Sequence, residues 1–450
     1  MTDSVTGPES FVRVAVPVPL LSSLTYRIPS GQPPPTRGAR VRVPLGNRLV
    51  VGCVISVEEG VDSTESLQSA AGGVKDVVDV IDAEPFLPAS VLDLSLWVTK
   101  YYACGPGDAV AAAMPPYAWS RKGLTSPRRS AFKTERVARL TVEGRRVETG
   151  QRPKPPGRRQ RQALSNLAGA TNGLTTRQLA QQGVLTETLR RLVRRGLVEL
   201  ATRRIERDPF RGDENLEVGL AIRNGRTLTE DQGAAFTALS NLIRAERFRV
   251  AMLHGVTGSG KTELYLRLAQ VVCDRGQRVL VLVPEIVLAP AIARAFRAVF
   301  GDRVAIQHSG LSDGERHDQW HRIKRGEVDI VVGTRSAVFA PIERLGLIVV
   351  DEEHDGSYKQ EESPRYHGRD AAIIRGRQAK VCVVLGSATP SMESYHNVTV
   401  GRYELVTLPR RVLERSLPAV HVVDMRAELA THGADTILSA PLVERLENRL

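Results

Sequence analysis

The stretch Gly255-Val256-Thr257-Gly258-Ser259-Gly260-Lys261-Thr262 decides the fold. It matches G-x-x-x-x-G-K-[ST] in full, follows the apolar run Arg249-Val250-Ala251-Met252-Leu253 and opens a helical pattern. Strand, glycine-rich turn and helix is the setting of a phosphate-binding loop. Gly255, Gly258 and Gly260 let backbone N–H groups turn inward around phosphate oxygens, with Ser259 between them. The helix starting near Lys261 adds the positive end of its dipole. Lys261 supplies a point charge for the β- and γ-phosphates, and Thr262 a hydroxyl for Mg²⁺. The expected ligand is a nucleoside triphosphate, ATP first.

Outward from this loop, residues from about 216 to 425 alternate apolar, β-branched runs with helical segments. The runs include Val279-Leu280-Val281-Leu282-Val283, Ile330-Val331-Val332, Leu347-Ile348-Val349-Val350 and Val381-Cys382-Val383-Val384-Leu385. Continuous apolar strands between helices predict a parallel sheet covered on both faces. Asp351-Glu352-Glu353-His354 follows one such strand, which delivers its carboxylates to the sheet edge that also carries the phosphate loop. There Asp351 is suited to hold Mg²⁺ through water, and Glu352 to orient and deprotonate an attacking water. Gln232 lies upstream of the loop strand, and its carboxamide can both donate to and accept from an adenine edge. Gly386-Ser387-Ala388-Thr389 closes a further strand near the same edge, where small hydroxyl residues can couple phosphate state to a second site.

Upstream the pattern differs. Short β-rich runs at 12–16, 24–28, 41–43 and 49–55, separated by Pro-Ser-Gly, Pro-Pro-Pro and Gly-Asn turns, predict a small barrel or sandwich. Residues 77–81 add a strand. Residues 91–102 read as an amphipathic helix with Val91, Leu92, Leu94, Leu96, Trp97, Val98 and Tyr101 on its apolar face. Residues 121–159 then hold thirteen Lys or Arg against Glu135, Glu143 and Glu148, and end in a proline-rich stretch that reads as a stiff linker. Residues 159–204 give helix, helix, glycine turn, basic helix and strand, a winged-helix pattern. In its third helix, 185–195, Leu185, Leu189, Leu192 and Val193 face inward, beside Arg190, Arg191, Arg194 and Arg195.

Composition agrees with a polyanionic partner. The net charge of the 450 residues is +12, and nucleic acid is favoured over an anionic membrane surface. Cys53, Cys104, Cys273 and Cys382 are far apart and form no C-x-x-C pair, so neither a zinc knuckle nor a disulfide framework is expected among them. No apolar run spans a membrane and the N-terminus has no signal-peptide pattern, so a cytoplasmic protein is expected.

In order along the chain, Gln232, 255–262, Pro284-Glu285, Gly333-Thr334-Arg335, 351–354 and 386–389 resemble the first-lobe motifs of helicase superfamily 2. Within it the chain is similar to the PriA family, the primosomal protein N′ of bacterial replication restart. The similarity rests on 251–263, Val283-Pro284-Glu285-Ile286, His308-Ser309-Gly310-Leu311, Gly333-Thr334-Arg335-Ser336-Ala337 and 351–360. Val16-Pro17-Val18-Pro19-Leu20 and Arg42-Val43-Pro44-Leu45-Gly46 carry it near the N-terminus.

The resemblance implies a multidomain chain. Residues 1–115 would be a β-rich 3′-DNA-end-binding domain, 116–157 a basic linker, and 158–207 a winged helix. Residues 216–425 would be a RecA-like α/β lobe, and 426–450 the start of a connection. It implies an ATP-dependent 3′-to-5′ helicase that recognises stalled or repaired forks and helps load the replicative helicase. The alternative is a fork-DNA-binding primosome scaffold without helicase activity. Partners would be forked and single-stranded DNA, other primosome proteins and single-stranded-DNA-binding protein.

Residues 358–370 resemble the family's aromatic-rich loop, which senses single-stranded DNA. Tyr358, Tyr366 and His367 offer stacking faces, and Lys359, Arg365 and Arg369 offer phosphate contacts. Thr334, Arg335, His354, Ser387 and Thr389 would bind DNA or couple it to ATP. The chain departs from the family at Leu24-Thr25-Tyr26, where Phe-Asp-Tyr is frequent, and at Pro364, where tryptophan is common. The family's zinc clusters and second motor lobe, which supplies arginines to the ATP, are expected beyond Leu450. Residues 1–450 alone are therefore expected to bind ATP and DNA but barely hydrolyse or unwind.

Overall fold

The computed structural model describes residues 10–59, 73–119, 132–149, 157–170, 172–210, 227–284, 288–412, 420–433 and 436–449. Glu285, most of the expected proline-rich linker and the first residues of the expected lobe lie outside this set. Residues 1–410 form one compact unit and 411–450 a second. The division falls earlier than the expected end of the lobe at 425. The second unit holds two short helices, Met425–His432 and Ala440–Glu447, tied where Ala440 N–H donates to Glu428 Oε2 at 2.7 Å. No helix among the described residues is long and apolar enough to cross a membrane.

The first unit is built on three sheets. β1 (Ser10–Ala15), β2 (Leu24–Arg27), β3 (Arg40–Leu45), β4 (Arg48–Glu59) and β5 (Asp79–Val80) form an antiparallel sheet in the order β2-β1-β4-β3-β5. The β3–β4 hairpin turns at Gly46, whose φ of +58° suits glycine. Alternation buries Val41 and Val43 of β3 with Val12, Val14 and Val54.

Helix Ala89–Tyr101 follows and packs on helix Gly368–Ala379 of the α/β lobe. Val91, Leu92, Leu94 and Val98 are buried as expected, but Tyr101 is 65% exposed, its ring stacked 4.8 Å from Trp97. This domain and the lobe thus share a core, extended where Phe86 stacks on Trp320 at 4.9 Å and Lys324 Nζ donates to the carbonyls of Pro85 and Phe86.

The winged helix begins earlier than its sequence pattern. β6 (Lys133–Leu140) is the centre of a three-stranded sheet, between β7 (Leu174–Thr175) and β8 (Val198–Ile205). Helix Val142–Glu148 packs on helix Arg158–Ala168. Residues 133–148 are therefore part of the domain, a correction to the linker expected over 116–157. The reason is that β6 buries only Val137 and Ala138, so its charged residues masked the strand. In helix Thr186–Arg194, Leu189 and Leu192 are buried, whereas Leu185 caps the helix at 56% exposure instead of facing inward.

The lobe sheet contains β9 (Arg249–Gly255), β10 (Arg278–Leu282), β11 (Val304–Gln307), β12 (Ile330–Gly333), β13 (Leu345–Val350), β14 (Cys382–Ser387) and β15 (Glu404–Leu408). The order is β11-β12-β10-β13-β14-β9-β15 and every pairing is parallel. Alternate side chains enter two cores. Met252, Leu280, Leu282, Ile348, Val350 and Leu385 lie in one; Leu253, Val279, Val281, Leu347, Val349 and Val384 lie in the other. Each buried aliphatic contributes about 1.5–3 kcal/mol, which explains why these strands read as unbroken apolar runs.

Candidate nucleotide-binding site

Strand order brings the two acidic and phosphate motifs together: β9 and β13 flank β14, so residues 255–262, 351–354 and 386–389 emerge at one sheet edge. Gly258 and Gly260 have φ of +81° and +85°, where a side chain is strained, and Gly260 caps helix Lys261–Cys273 from this left-handed conformation. The first amides of that helix, those of Lys261 and Thr262, have no intrahelical acceptor. Lys261 Nζ donates to the Gly255 carbonyl at 3.0 Å and lies 3.4 Å from Glu352 Oε1.

Glu352 itself has φ of +42°, a left-handed turn that faces it toward Lys261. Asp351 is buried, and its Oδ1 accepts from the Tyr265 hydroxyl at 2.9 Å. Gly386 belongs here because a Cβ would stand 1.8 Å from that hydroxyl. Sequence reasoning missed Tyr265; its place one helical turn after Lys261 was the available signal.

Burial pushes the Asp351 carboxyl up to about 6, with Glu352 adding to the rise and the Tyr265 hydrogen bond and Lys261 opposing it. A carboxyl raised in the folded state stabilises when protonated. Its contribution is full below the ordinary value of 3.8 and is lost as pH rises through about 6. In buffer free of nucleotide and metal, the wild-type chain should lose about 2 kcal/mol relative to Asp351→Asn between pH 4 and 7. Parallel pH profiles of the two denaturation midpoints would reject this.

The residues fit Mg²⁺ and phosphate. The Ser259 hydroxyl is buried and has no partner among the described residues, and Asp351 is a desolvated carboxyl facing the loop lysine. Among the described residues no three His, Cys, Asp or Glu side chains cluster to hold a metal. Thr262 and Asp351 are the side chains that would hold an ion together with phosphate oxygens.

Gln232 is buried beside the loop. Its Oε1 accepts from Thr229 N–H at 3.1 Å and its Nε2 donates to the Ser259 carbonyl at 2.8 Å, which leaves one N–H and one lone pair for a ligand. His354 joins two motifs: its Nδ1 is 2.8 Å from Ser387 Oγ and its Nε2 3.3 Å from Thr389 Oγ1.

The expected DNA contacts divide. Thr334, Arg335 and Tyr366 line a cavity of about 680 Å³ with Met114, Arg316 and Gln360. Arg335 Nη1 donates to the Ser357 and Lys359 carbonyls, at 2.9 and 3.0 Å. Arg365 and Lys359 are exposed, and Lys359 Nζ donates to the Arg365 carbonyl.

Three expectations are corrected. Tyr366 is 3% exposed and packs edge-on against Phe339, so its ring is a core group and not a free stacking face. Tyr358 is fully buried, its hydroxyl donating to the Asp351 carbonyl at 2.7 Å, so it presents no stacking face. The Arg369 guanidinium is buried against Glu353, Asp370 and Ser391, so it does not reach a phosphate. Glu353, fully buried at the hub of these bonds, was also missed.

Residues 13–115 match the PriA 3′DNA-binding domain (3′BD), and residues 229–398 match the DEAD/DEAH box helicase family. The replication restart protein PriA of Bacillus subtilis is 35% identical over 471 aligned residues, covering 92% of this chain. That of Haemophilus influenzae is 34% identical over 443, covering 98% of it. The chain belongs to the PriA family. It spans 57% of the length of each of these two relatives. Membership agrees with the N-terminal β-rich domain and the parallel α/β lobe, and a helicase domain implies use of a nucleotide.

Proposed function

We propose that these residues are the nucleotide-binding and DNA-engaging part of a PriA-type, ATP-dependent 3′-to-5′ helicase. It acts in the bacterial cytoplasm on stalled or repaired forks, with primosome proteins and single-stranded-DNA-binding protein as partners. The observation that carries this reading is Glu352 held 3.4 Å from the loop lysine, beside buried Asp351. Gly258, Gly260 and the amides of Lys261 and Thr262 cradle phosphate oxygens, and Lys261 neutralises them. Thr262 and Asp351 would hold Mg²⁺, which offsets phosphate charge when bound. Glu352 accepts the proton of the attacking water. His354 passes the state of this turn to Ser387 and Thr389. Thr334 and Arg335, at the cavity, meet single-stranded DNA.

The test is binding of a fluorescent, non-hydrolysable ATP analogue and of forked DNA by the 450-residue chain. Mg²⁺-dependent analogue binding is expected; its absence sinks the reading. Fork affinity should also fall steeply with salt. Replacing exposed Arg190, Arg191, Arg194 and Arg195 with alanine should lower the log–log slope by up to about 0.9 for each duplex phosphate they neutralise. An unchanged slope would make these arginines a solvated face. Deleting 121–159 is the poorer test, since it removes the central strand β6.

A further inference from the structure

We infer that Arg369 and Glu353 form the joint through which residues 358–370 set the geometry of the 351–354 turn, which makes Arg369 a positioning residue. The inference rests on the reading of this site as an Mg–ATP site coupled to single-stranded DNA.

Glu353 is fully buried and accepts four hydrogen bonds. Oε1 takes Ser391 N–H at 2.7 Å. Oε2 takes Arg369 Nη1 at 3.0 Å, Ser391 Oγ at 3.1 Å and Ser394 Oγ at 2.8 Å. Arg369 also donates to Ser391 Oγ at 2.7 Å and Asp370 Oδ1 at 3.0 Å. Glu353 N–H donates to the Gly386 carbonyl at 3.0 Å. Glu353 thus ties the acidic turn to the end of the loop and the N-terminus of helix Met392–Thr399 through its carboxylate, and to the strand end at 386 through its backbone N–H.

The other end of the loop is anchored next door. The Tyr358 hydroxyl holds the Asp351 carbonyl. The loop is therefore fastened on both sides of Glu352, at the residue before it and the residue after it. Glu352 is the left-handed residue that faces Lys261. Between the anchors, Lys359, Glu361, Glu362, Ser363 and Arg365 are exposed. A strand that displaces these exposed residues pulls on two buried anchors: the Arg369–Glu353 pair cannot part cheaply, since an unpaired buried charge is costly, and the Tyr358 hydroxyl would lose its buried acceptor. The movement is delivered to Glu352.

The readout is linkage: the factor by which an oligo-dT strand changes the affinity of the full 450-residue chain for the fluorescent Mg²⁺–ATP analogue. Coupling between two sites is reciprocal and typically about 5–150-fold. Arg369→Lys keeps the charge but its single ammonium cannot serve Glu353, Asp370 and Ser391 together. Its factor, taken relative to its own DNA-free analogue affinity, should collapse toward one. Ser394→Ala removes one donor and leaves the ion pair, so it should fold normally and lower the factor less. An unchanged factor in whichever variant folds overturns the joint, as does wild-type analogue binding that DNA does not alter. Failure of the wild type to bind the analogue at all sinks the underlying site reading instead.

Discussion

Lys261→Ala is expected to weaken binding of the Mg²⁺–ATP analogue by roughly 10–150-fold, with little loss of folding stability. Charged hydrogen bonds contribute about 1.5–3 kcal/mol, and each 1.4 kcal/mol is a factor of ten. In the ligand-free chain the ammonium is 9% exposed and satisfied by the Gly255 carbonyl and Glu352. Those bonds largely offset the desolvation that burial imposes on it, so alanine removes cost and gain together. Glu352 is itself 33% exposed and regains water when its partner goes. The two effects separate cleanly: analogue titration should move by one to two decades while the denaturation midpoint stays close to wild type. Equal affinity in the two proteins would mean that the phosphates lie elsewhere.

That loop was legible because its chemistry is local. Eight consecutive residues place glycines, lysine and threonine around one turn, and the strand and helix beside it follow from apolar runs and their spacing. The acidic turn was legible for the same reason. Hidden features depend on partners distant in sequence. Nothing local tells that Tyr358 points to Asp351 or Arg369 to Glu353, since an aromatic or an arginine in a polar loop is ordinarily a surface group. Strand β6 was hidden because only Val137 and Ala138 along it are buried, and its remaining charges read as part of a basic run. Tyr101 misled in the opposite sense. It continues an apolar face in sequence, but the lobe covers only the side bearing Val91, Leu94 and Val98. Pattern gives an element's type; which of its side chains are covered is decided by the neighbouring domain.

Glu353→Ala should cost the first unit about 3–5 kcal/mol, the ordinary penalty for leaving a buried ion without its partner. The Arg369 guanidinium would keep only Asp370, which is 37% exposed, and the Ser391 hydroxyl. Ser391 N–H and the Ser394 hydroxyl would lose their acceptor inside the core. The cause is the stranded charge more than the missing attraction, and this has a consequence that can be measured. Joining Glu353→Leu to Arg369→Met removes both charges while keeping volume. The double variant should then recover the part of the loss that comes from the stranded charge, because an apolar pair of similar size is often as stable as the ion pair it replaces, while the Ser391 and Ser394 donors stay without their acceptor. Urea unfolding of both single variants and the double variant gives the coupling directly. A double variant whose loss equals the sum of the two singles would show that the charges do not depend on each other. The same double variant carries no joint at 353–369, so its oligo-dT linkage factor should stay near one even where its stability exceeds that of Glu353→Ala. Stability regained without coupling separates the role of the pair in folding from its role in positioning Glu352.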